Sequence, residues 1–124
     1  MPLYLIHKHW ARKLHYDLRL QLGGVLKSWA VPKRPSKSPK IKRLAVQVED
    51  HPLAWGSFEG IITEGYGKGK VKIWDKGNYE LLEKTKTRLI IDIKGKKLKG
   101  AYCLLFFKQP KNWLFFKVKE HSKE

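Results

Sequence analysis

Almost every segment of this chain alternates between apolar and polar residues with period two, the pattern of strands that bury one face. The clearest case is Leu14–Leu22. Leu14, Tyr16, Leu18, Leu20 and Leu22 share one parity, and His15, Asp17, Arg19 and Gln21 share the other. The same pattern predicts strands over Leu3–Lys8, Val25–Val31, Arg43–Glu49, Phe58–Ile62, Lys70–Asp75, Tyr79–Glu83, Arg88–Lys94, Lys97–Phe107 and Trp113–Lys119. In Arg43–Glu49 the apolar face is Leu44, Val46 and Val48, with Arg43, Ala45, Gln47 and Glu49 opposite.

The punctuation between these runs agrees with them. Gly23-Gly24 predicts a two-residue hairpin turn, because paired glycines accept the positive φ angles such turns need. Pro32 ends the third strand, having no N–H to donate. Turns are predicted at Gly65–Gly69, Lys76–Asn78, Lys94–Lys97 and Gln109–Asn112, and a basic, proline-containing loop over Lys33–Lys42. Helix is confined to a turn near Trp10–Lys13 and another near Pro52–Ser57, and Glu120–Glu124 reads as a frayed tail. Many short strands at this spacing predict an all-β fold: a compact single-domain β-barrel over residues 1–124, favoured over a sandwich because few strands look like blunted edges.

Composition narrows the partners. The chain has 124 residues, with 27 Lys and Arg against 11 Asp and Glu, hence a net charge of +16. Such an excess repels itself in a compact domain and suits a polyanion, nucleic acid first. No basic amphipathic helix suggests a membrane surface, no run reaches transmembrane length, and Met1–Ile6 lacks the marks of a signal peptide. A soluble, cytoplasmic, nucleoid-associated monomer is expected. The single cysteine, Cys103, excludes a disulfide framework and reads as a buried small hydrophobe.

The polar face of Leu14–Leu22 carries the candidate chemistry. An ordinary solvated strand face shows Lys, Thr, Ser and Glu, whereas this one shows imidazole, carboxylate and guanidinium in succession. His15 and Asp17 can converge on one cation, with His9 six residues earlier as a further ligand. Two His and one Asp suit a divalent metal with open coordination positions. The same spacing also describes an ordinary surface hydrogen bond, and His7 reads equally as a third imidazole or a bystander. Gly65–Gly69 is not a phosphate-binding P-loop, because the terminal Lys-[Ser/Thr] and the following helix are missing.

Four motifs in order resemble one family. They are H-K-H-x-A-x-x-L-H-Y-D-L-R-L from His7, L-K-S-W-A-V-P-K from Leu26, K-R-L-A-V-x-V-E-D-H-P-L from Lys42, and F-E-G-I-I from Phe58. Together they resemble the 3′-phosphoesterase domain of bacterial DNA ligase D. The resemblance implies a compact β-barrel with a surface groove. It also implies a manganese-dependent (or other divalent-cation-dependent) enzyme that processes the 3′ ends of DNA at primer-template junctions. A phosphodiesterase step removes a terminal ribonucleoside, and a phosphomonoesterase step removes the remaining 3′-phosphate, leaving a 3′-hydroxyl for end joining. A separate end-joining polymerase and ligase are expected to act with it.

By resemblance, His9, His15 and Asp17 are the metal ligands. Arg19, Lys33 and Arg43 grip the phosphate, and Glu49 and His51 belong to the E-D-H-P-L motif, where the His matters for cleavage. Three positions depart from the family pattern: Trp55 where a Tyr is common, His7 where a Gln is common, and a Gly-rich turn at Glu64–Gly69 one residue shorter. The alternative function is a non-catalytic basic β-barrel that binds nucleic acid. Trp29, Trp55, Tyr66 and Trp74 suit that reading as base-stacking surfaces, or else belong to the core. Asp17 argues against it, because a carboxylate beside two imidazoles weakens phosphate binding unless a cation neutralises it.

Overall fold

Paired glycines and alternating strands close the chain on itself. In a computed structural model, which describes residues 1–65 and 67–119, nine strands follow one another: β1 (Leu3–Trp10), β2 (Leu14–Leu22), β3 (Val25–Val31), β4 (Arg43–His51), β5 (Gly60–Ile62), β6 (Gly69–Lys84), β7 (Arg88–Lys94), β8 (Lys99–Lys108) and β9 (Asn112–Lys117). All neighbours are antiparallel, in the order β1-β2-β3-β4-β9-β8-β7-β6-β5, and β6 also pairs with β1. Eight strands thus form a closed barrel, which removes free edges, and short β5 is an extra strand on β6. The expected barrel is what forms. The only helix among the described residues is a short 3₁₀ turn at Leu53–Ser57, where one was expected; none is long and apolar enough to cross a membrane.

The barrel interior is the core. Tyr4, Ile6, Tyr16, Leu18, Leu20, Trp29, Val31, Ala45, Tyr79, Ile91, Ile93, Tyr102, Leu104 and Phe115 are all buried in one cluster. At about 25 cal/mol per Å² of apolar area removed from water, each such side chain contributes roughly 1.5–3 kcal/mol. Because side chains alternate, burying Tyr16, Leu18 and Leu20 inside the barrel sends His15, Asp17 and Arg19 to its outer surface. Tyr4 and Ile6 on β1 send His7 and His9 outward in the same way. Gly23 and Gly24, both at positive φ, close the β2–β3 hairpin between Leu22 and Val25, as their sequence requires. Cys103 is buried, and burial raises its thiol pKa.

Several local expectations are corrected. β6 runs unbroken through Lys76-Gly77-Asn78, where a turn was expected. Gly77 is there for a close approach, since a Cβ would lie 2.0 Å from the Lys94 carbonyl oxygen. β8 starts at Lys99 rather than Lys97, because the N–H groups of Lys96, Lys97 and Leu98 all donate to the Asp75 carboxylate instead of to a ladder. The first β2 turn is a bend at Ala11–Lys13, not a helical turn. On β4 the inward face is the one that carries Ala45, which is fully buried, whereas Leu44 is 40% exposed. The face expected to be buried, Leu44, Val46 and Val48, thus lies outward, because pairing with β9 sets Ala45 opposite the buried Trp113. The expected frayed tail at 120–124, and Tyr66, lie outside the described residues.

Candidate active site

The outward faces of β1 and β2 bring His9 directly opposite His15 and His7 directly opposite Asp17. The two imidazoles of the first pair sit with ring centroids 4.7 Å apart, and Asp17 lies diagonally between them. His9 Nδ1 is 3.3 Å from Asp17 Oδ2, and His15 Nε2 is 3.2 Å from Asp17 Oδ1. One ligand atom from each of the three lies within 4.8 Å of the others.

Each imidazole is tied down through its other nitrogen. His9 Nε2 is 2.7 Å from the Gly67 carbonyl oxygen, and His15 Nδ1 is 3.2 Å from that of Lys13. A carbonyl can only accept, so those nitrogens carry the protons and donate. That leaves His9 Nδ1 and His15 Nε2 facing Asp17, where each donates to the carboxylate when it carries a proton and offers a lone pair to a cation when it does not. Backbone carbonyls that fix the tautomer of a ligating His are the usual support around a bound metal. The donor set, two nitrogens and one carboxylate, therefore fits a divalent cation of hard-to-borderline character. The expected trio is brought together.

Electrostatics favour the ionised carboxylate. Burial opposes the charge on Asp17, but the hydrogen bonds to His15 and His9 and the Arg19 guanidinium outweigh it and hold its pKa well below the usual carboxylate range. The same hydrogen bond to Asp17 raises His15, against the opposing effect of burial.

Arg19 is the second centre. Its guanidinium is buried and held on every side. Nε donates to His7 Nδ1 at 3.0 Å, Nη1 donates to Ser28 Oγ at 2.8 Å, and Nη2 lies 3.6 Å from Asp17 Oδ2. Trp55 covers it, with the guanidinium carbon 5.9 Å from the ring centroid. His7 is fully buried, and its Nε2 donates to the Phe58 carbonyl at 2.9 Å, so Nδ1 is free to accept from Arg19. Burial, and then the Arg19 charge, push the His7 pKa down to about 4, so the ring is neutral and can accept. His7 is neither a third ligand nor a bystander; it aims the arginine. Its acceptor and donor nitrogens do here what the carbonyl and NH₂ of a Gln amide can do.

His51 arrives by way of a β-bulge. Ser28 pairs with Val48 and Leu26 with His51, so two steps on β3 match three on β4. The extra residue turns His51 to the outer face beside Ser28 and Arg19. Its Nδ1 is 3.0 Å from the Glu49 carbonyl oxygen and 3.2 Å from Arg19 Nη1. Two N–H groups cannot point at each other. A carbonyl can only accept, so the shorter contact places the proton on Nδ1 and leaves a lone pair on Nε2, while one of the two Nη1 hydrogens goes to Ser28. Burial and the Arg19 charge lower the His51 pKa, which keeps the ring neutral, and Trp55 packs edge-on against it with centroids 5.5 Å apart.

Three expected residues stand apart. Lys33 is exposed just past the end of β3. Arg43, at the start of β4, donates Nε to the Arg34 carbonyl at 2.8 Å. Glu49 is exposed, and its backbone carbonyl, not its carboxylate, reaches His51. Among the described residues, no hydrogen bond or ion pair joins these three side chains to the His9–His15–Asp17 trio. Ser28 was missed by sequence reasoning. The available signal was a lone hydroxyl between Leu26 and Ala30, on the face opposite Trp29.

The geometry agrees with what comparison finds. Residues 7–105 match the family model described as the DNA ligase D 3′-phosphoesterase domain. The chain belongs to this family. The protein named multifunctional non-homologous end joining protein LigD from Pseudomonas aeruginosa is 45% identical over 94% of this chain. That from Mycolicibacterium smegmatis is 42% identical over 96%, and the non-homologous end joining DNA repair protein LigD of Mycobacterium tuberculosis is 40% identical over 96%. The chain spans 15%, 17% and 16% of their respective lengths. The matched residues run from His7 through most of β8, so the whole outer-face cluster of this 3′-phosphoesterase family member lies inside the match.

Proposed function

We propose that this chain, as one domain, hydrolyses phosphoesters at the 3′ ends of DNA. It would remove a terminal ribonucleoside and then the 3′-phosphate, and so generate 3′-hydroxyl ends for repair by end joining. The observation that carries the reading is the pinned pair of imidazoles around Asp17, set beside a buried arginine that is already aligned. Phosphoryl chemistry needs a fixed positive environment where charge develops, more than it needs a covalent partner.

The residues divide the work as follows. His9 Nδ1, His15 Nε2 and Asp17 would hold a divalent cation, with Mn²⁺ the expected one. When bound, such an ion polarises a phosphoryl oxygen and acidifies water at neutral pH. Arg19 is held by His7 and Ser28, so no side-chain ordering remains to be done when its guanidinium meets a phosphate oxygen. His51, neutral with its Nε2 lone pair available, can take a proton from water or from a protonated phosphate and return it to the leaving oxygen. Lys33 and Arg43, on flexible stems at the strand ends, would reach the phosphate only once substrate is present, and Glu49 would support the end of β4 that carries His51. A net charge of +16 draws the polyanion in. The buried Asp17 is a liability in a purely binding module, which is why we favour the enzyme. A separate polymerase and ligase would use the product end, and we expect the chain to act as a monomer.

The test is a primer-template whose primer carries one or two 3′-terminal ribonucleotides, incubated with Mn²⁺ or with EDTA. Shortening to 3′-phosphate and then 3′-hydroxyl ends, only with the metal, is expected. Tight DNA binding with no shortening sinks the reading. A parallel assay on 3′-phosphate ends reads the second step alone and asks whether Trp55 supports it.

A further inference from the structure

A second chemical pattern lies on the inner face of the same two strands. Toward the Ala11–Lys13 bend, beyond Ile6 on β1 and Tyr16 on β2, the inward positions no longer belong to the buried core. There, cations and rings touch one another in one unbroken row. Lys70 Nζ sits 5.4 Å from the Trp10 ring centroid, and Lys8 Nζ sits 5.0 Å from Trp10 and 5.9 Å from Tyr16. Tyr16 meets Trp74 edge-on at 5.6 Å, and Lys97 Nζ lies 4.6 Å over Trp74. The row draws on β1, β2, β6 and the turn before β8.

Strand register explains why it assembles. Lys8 pairs with Tyr16 and Lys72, and Trp10 pairs with Lys70, all on the inward parity of Ile6. Trp74 is the extra residue of a bulge on β6 between the Ile6–Asp75 and His7–Ile73 pairs. An inward position at a barrel end is normally filled by an apolar plug, yet here Trp10 is 37% exposed and Lys70 and Lys97 are exposed. An exposed indole flanked by ammonium groups is poor core. It is good equipment for a nucleic-acid strand, since any base can stack on the ring while lysines meet its phosphates.

Position strengthens the point. Trp10 follows His9 directly in β1, and Tyr16 lies between His15 and Asp17 in β2. The wall between the row and the metal trio is one strand thick.

We propose that this row holds an unpaired stretch of the nucleic acid whose 3′ end is presented to the His9–His15–Asp17 site. The inference rests on the function proposed above only for what the end does; the row itself is a binding surface for single-stranded nucleic acid. Trp10 supplies the stacking surface, and Lys8, Lys70 and Lys97 supply the phosphate contacts. This arrangement would distinguish a junction with an unpaired strand from a blunt end.

A closed circular single-stranded oligodeoxynucleotide is the decisive probe, because it has no 3′ end to offer the metal site. The wild-type chain should bind it. Trp10→Ala should weaken that binding by about tenfold, and Trp10→Phe should restore most of it. Combined Lys8→Ala and Lys70→Ala should flatten the log–log salt dependence of the affinity by about 1.4, from about 0.7 per lost single-strand phosphate contact. The lysine pair leaves the ring in place, so it tests the row even if Trp10→Ala fails to fold. Circle affinity and salt slope unchanged in both variants would overturn the proposal, as would a wild-type chain that binds blunt duplex but not the circle. If instead no 3′ end is ever processed while circle binding still depends on Trp10, the enzymatic reading fails and this one stands.

Discussion

Arg19 Nε donates to His7 Nδ1 across 3.0 Å, and His7 hands its other nitrogen to the Phe58 carbonyl. The arginine that faces Asp17 is thus aimed by a neutral, fully buried imidazole from the neighbouring strand.

This relay predicts which substitutions the site accepts. His7→Gln preserves one acceptor and one donor and should keep activity within a few-fold. His7→Leu leaves Arg19 Nε and the Phe58 carbonyl without partners, at about 1–3 kcal/mol for each buried orphan. Activity on 3′-phosphate ends should then fall by at least about tenfold. Equal loss in both variants, read from steady-state rates, would show that His7 does something other than aim the arginine.

Asp17→Asn should abolish cation binding with little change in the metal-free fold, because the core is on the other face of β2. With Mn²⁺ at 100 times its dissociation constant, the wild-type chain should gain about 2.7 kcal/mol of stability. The variant should gain almost none, and its 3′-end hydrolysis should drop by at least about 100-fold. Thermal melts with and without Mn²⁺ or EDTA check the first statement and product gels the second.

Asp75 contributes to the acid limb of stability. Its carboxylate accepts from the Tyr4 hydroxyl at 2.8 Å and from the N–H groups of Lys96, Lys97 and Leu98. Burial opposes its ionisation, but the backbone hydrogen bonds and that of Tyr4 prevail and lower its pKa. A carboxyl depressed in the folded state binds fewer protons there than in the unfolded chain. Its contribution is therefore complete above the ordinary Asp value of about 3.9 and is lost as the pH falls toward and through the folded value. Asp75→Asn should lower stability at neutral pH by about 3 kcal/mol and flatten the decline below about pH 4. Denaturant midpoints measured across that range decide it.

Gly69 marks where β6 meets the end of β1. It has a φ of +143°, and a Cβ would lie 1.9 Å from the Trp10 carbonyl oxygen. Gly69→Ala should cost at least about 2 kcal/mol from the backbone conformation alone. It should also push apart the strand pair next to His9, so both the melting temperature and Mn²⁺ affinity should fall. An unchanged cation affinity would show that the trio tolerates movement of the β1 end.

Legibility followed locality. The β2 alternation and the Gly23-Gly24 turn placed His15, Asp17 and Arg19 on one face, because each of those facts concerns neighbours in sequence. The hairpin that sets His9 opposite His15 was nearly as local. The inner face of β4 was harder, since alternation pointed to Leu44, Val46 and Val48, and only pairing with β9 across the closed barrel turned Ala45 inward. Lys76-Gly77-Asn78 looked like a turn because glycine serves turns and close backbone approaches alike. Lys94, which Gly77 accommodates, lies on the next strand.

The sequence by itself determined an all-β chain of short strands, a polar face with metal-ligand chemistry, and an excess of positive charge. Tertiary structure alone decided that His7 would hold Arg19, that a bulge would deliver His51 to the same face, and that Trp10, Tyr16 and Trp74 would line up with lysines. The physical reason is strand register. Period two tells which side chains share a face of one strand. Which side chains meet across strands depends on pairings and bulges between residues far apart in the chain, and these are settled only when the barrel closes.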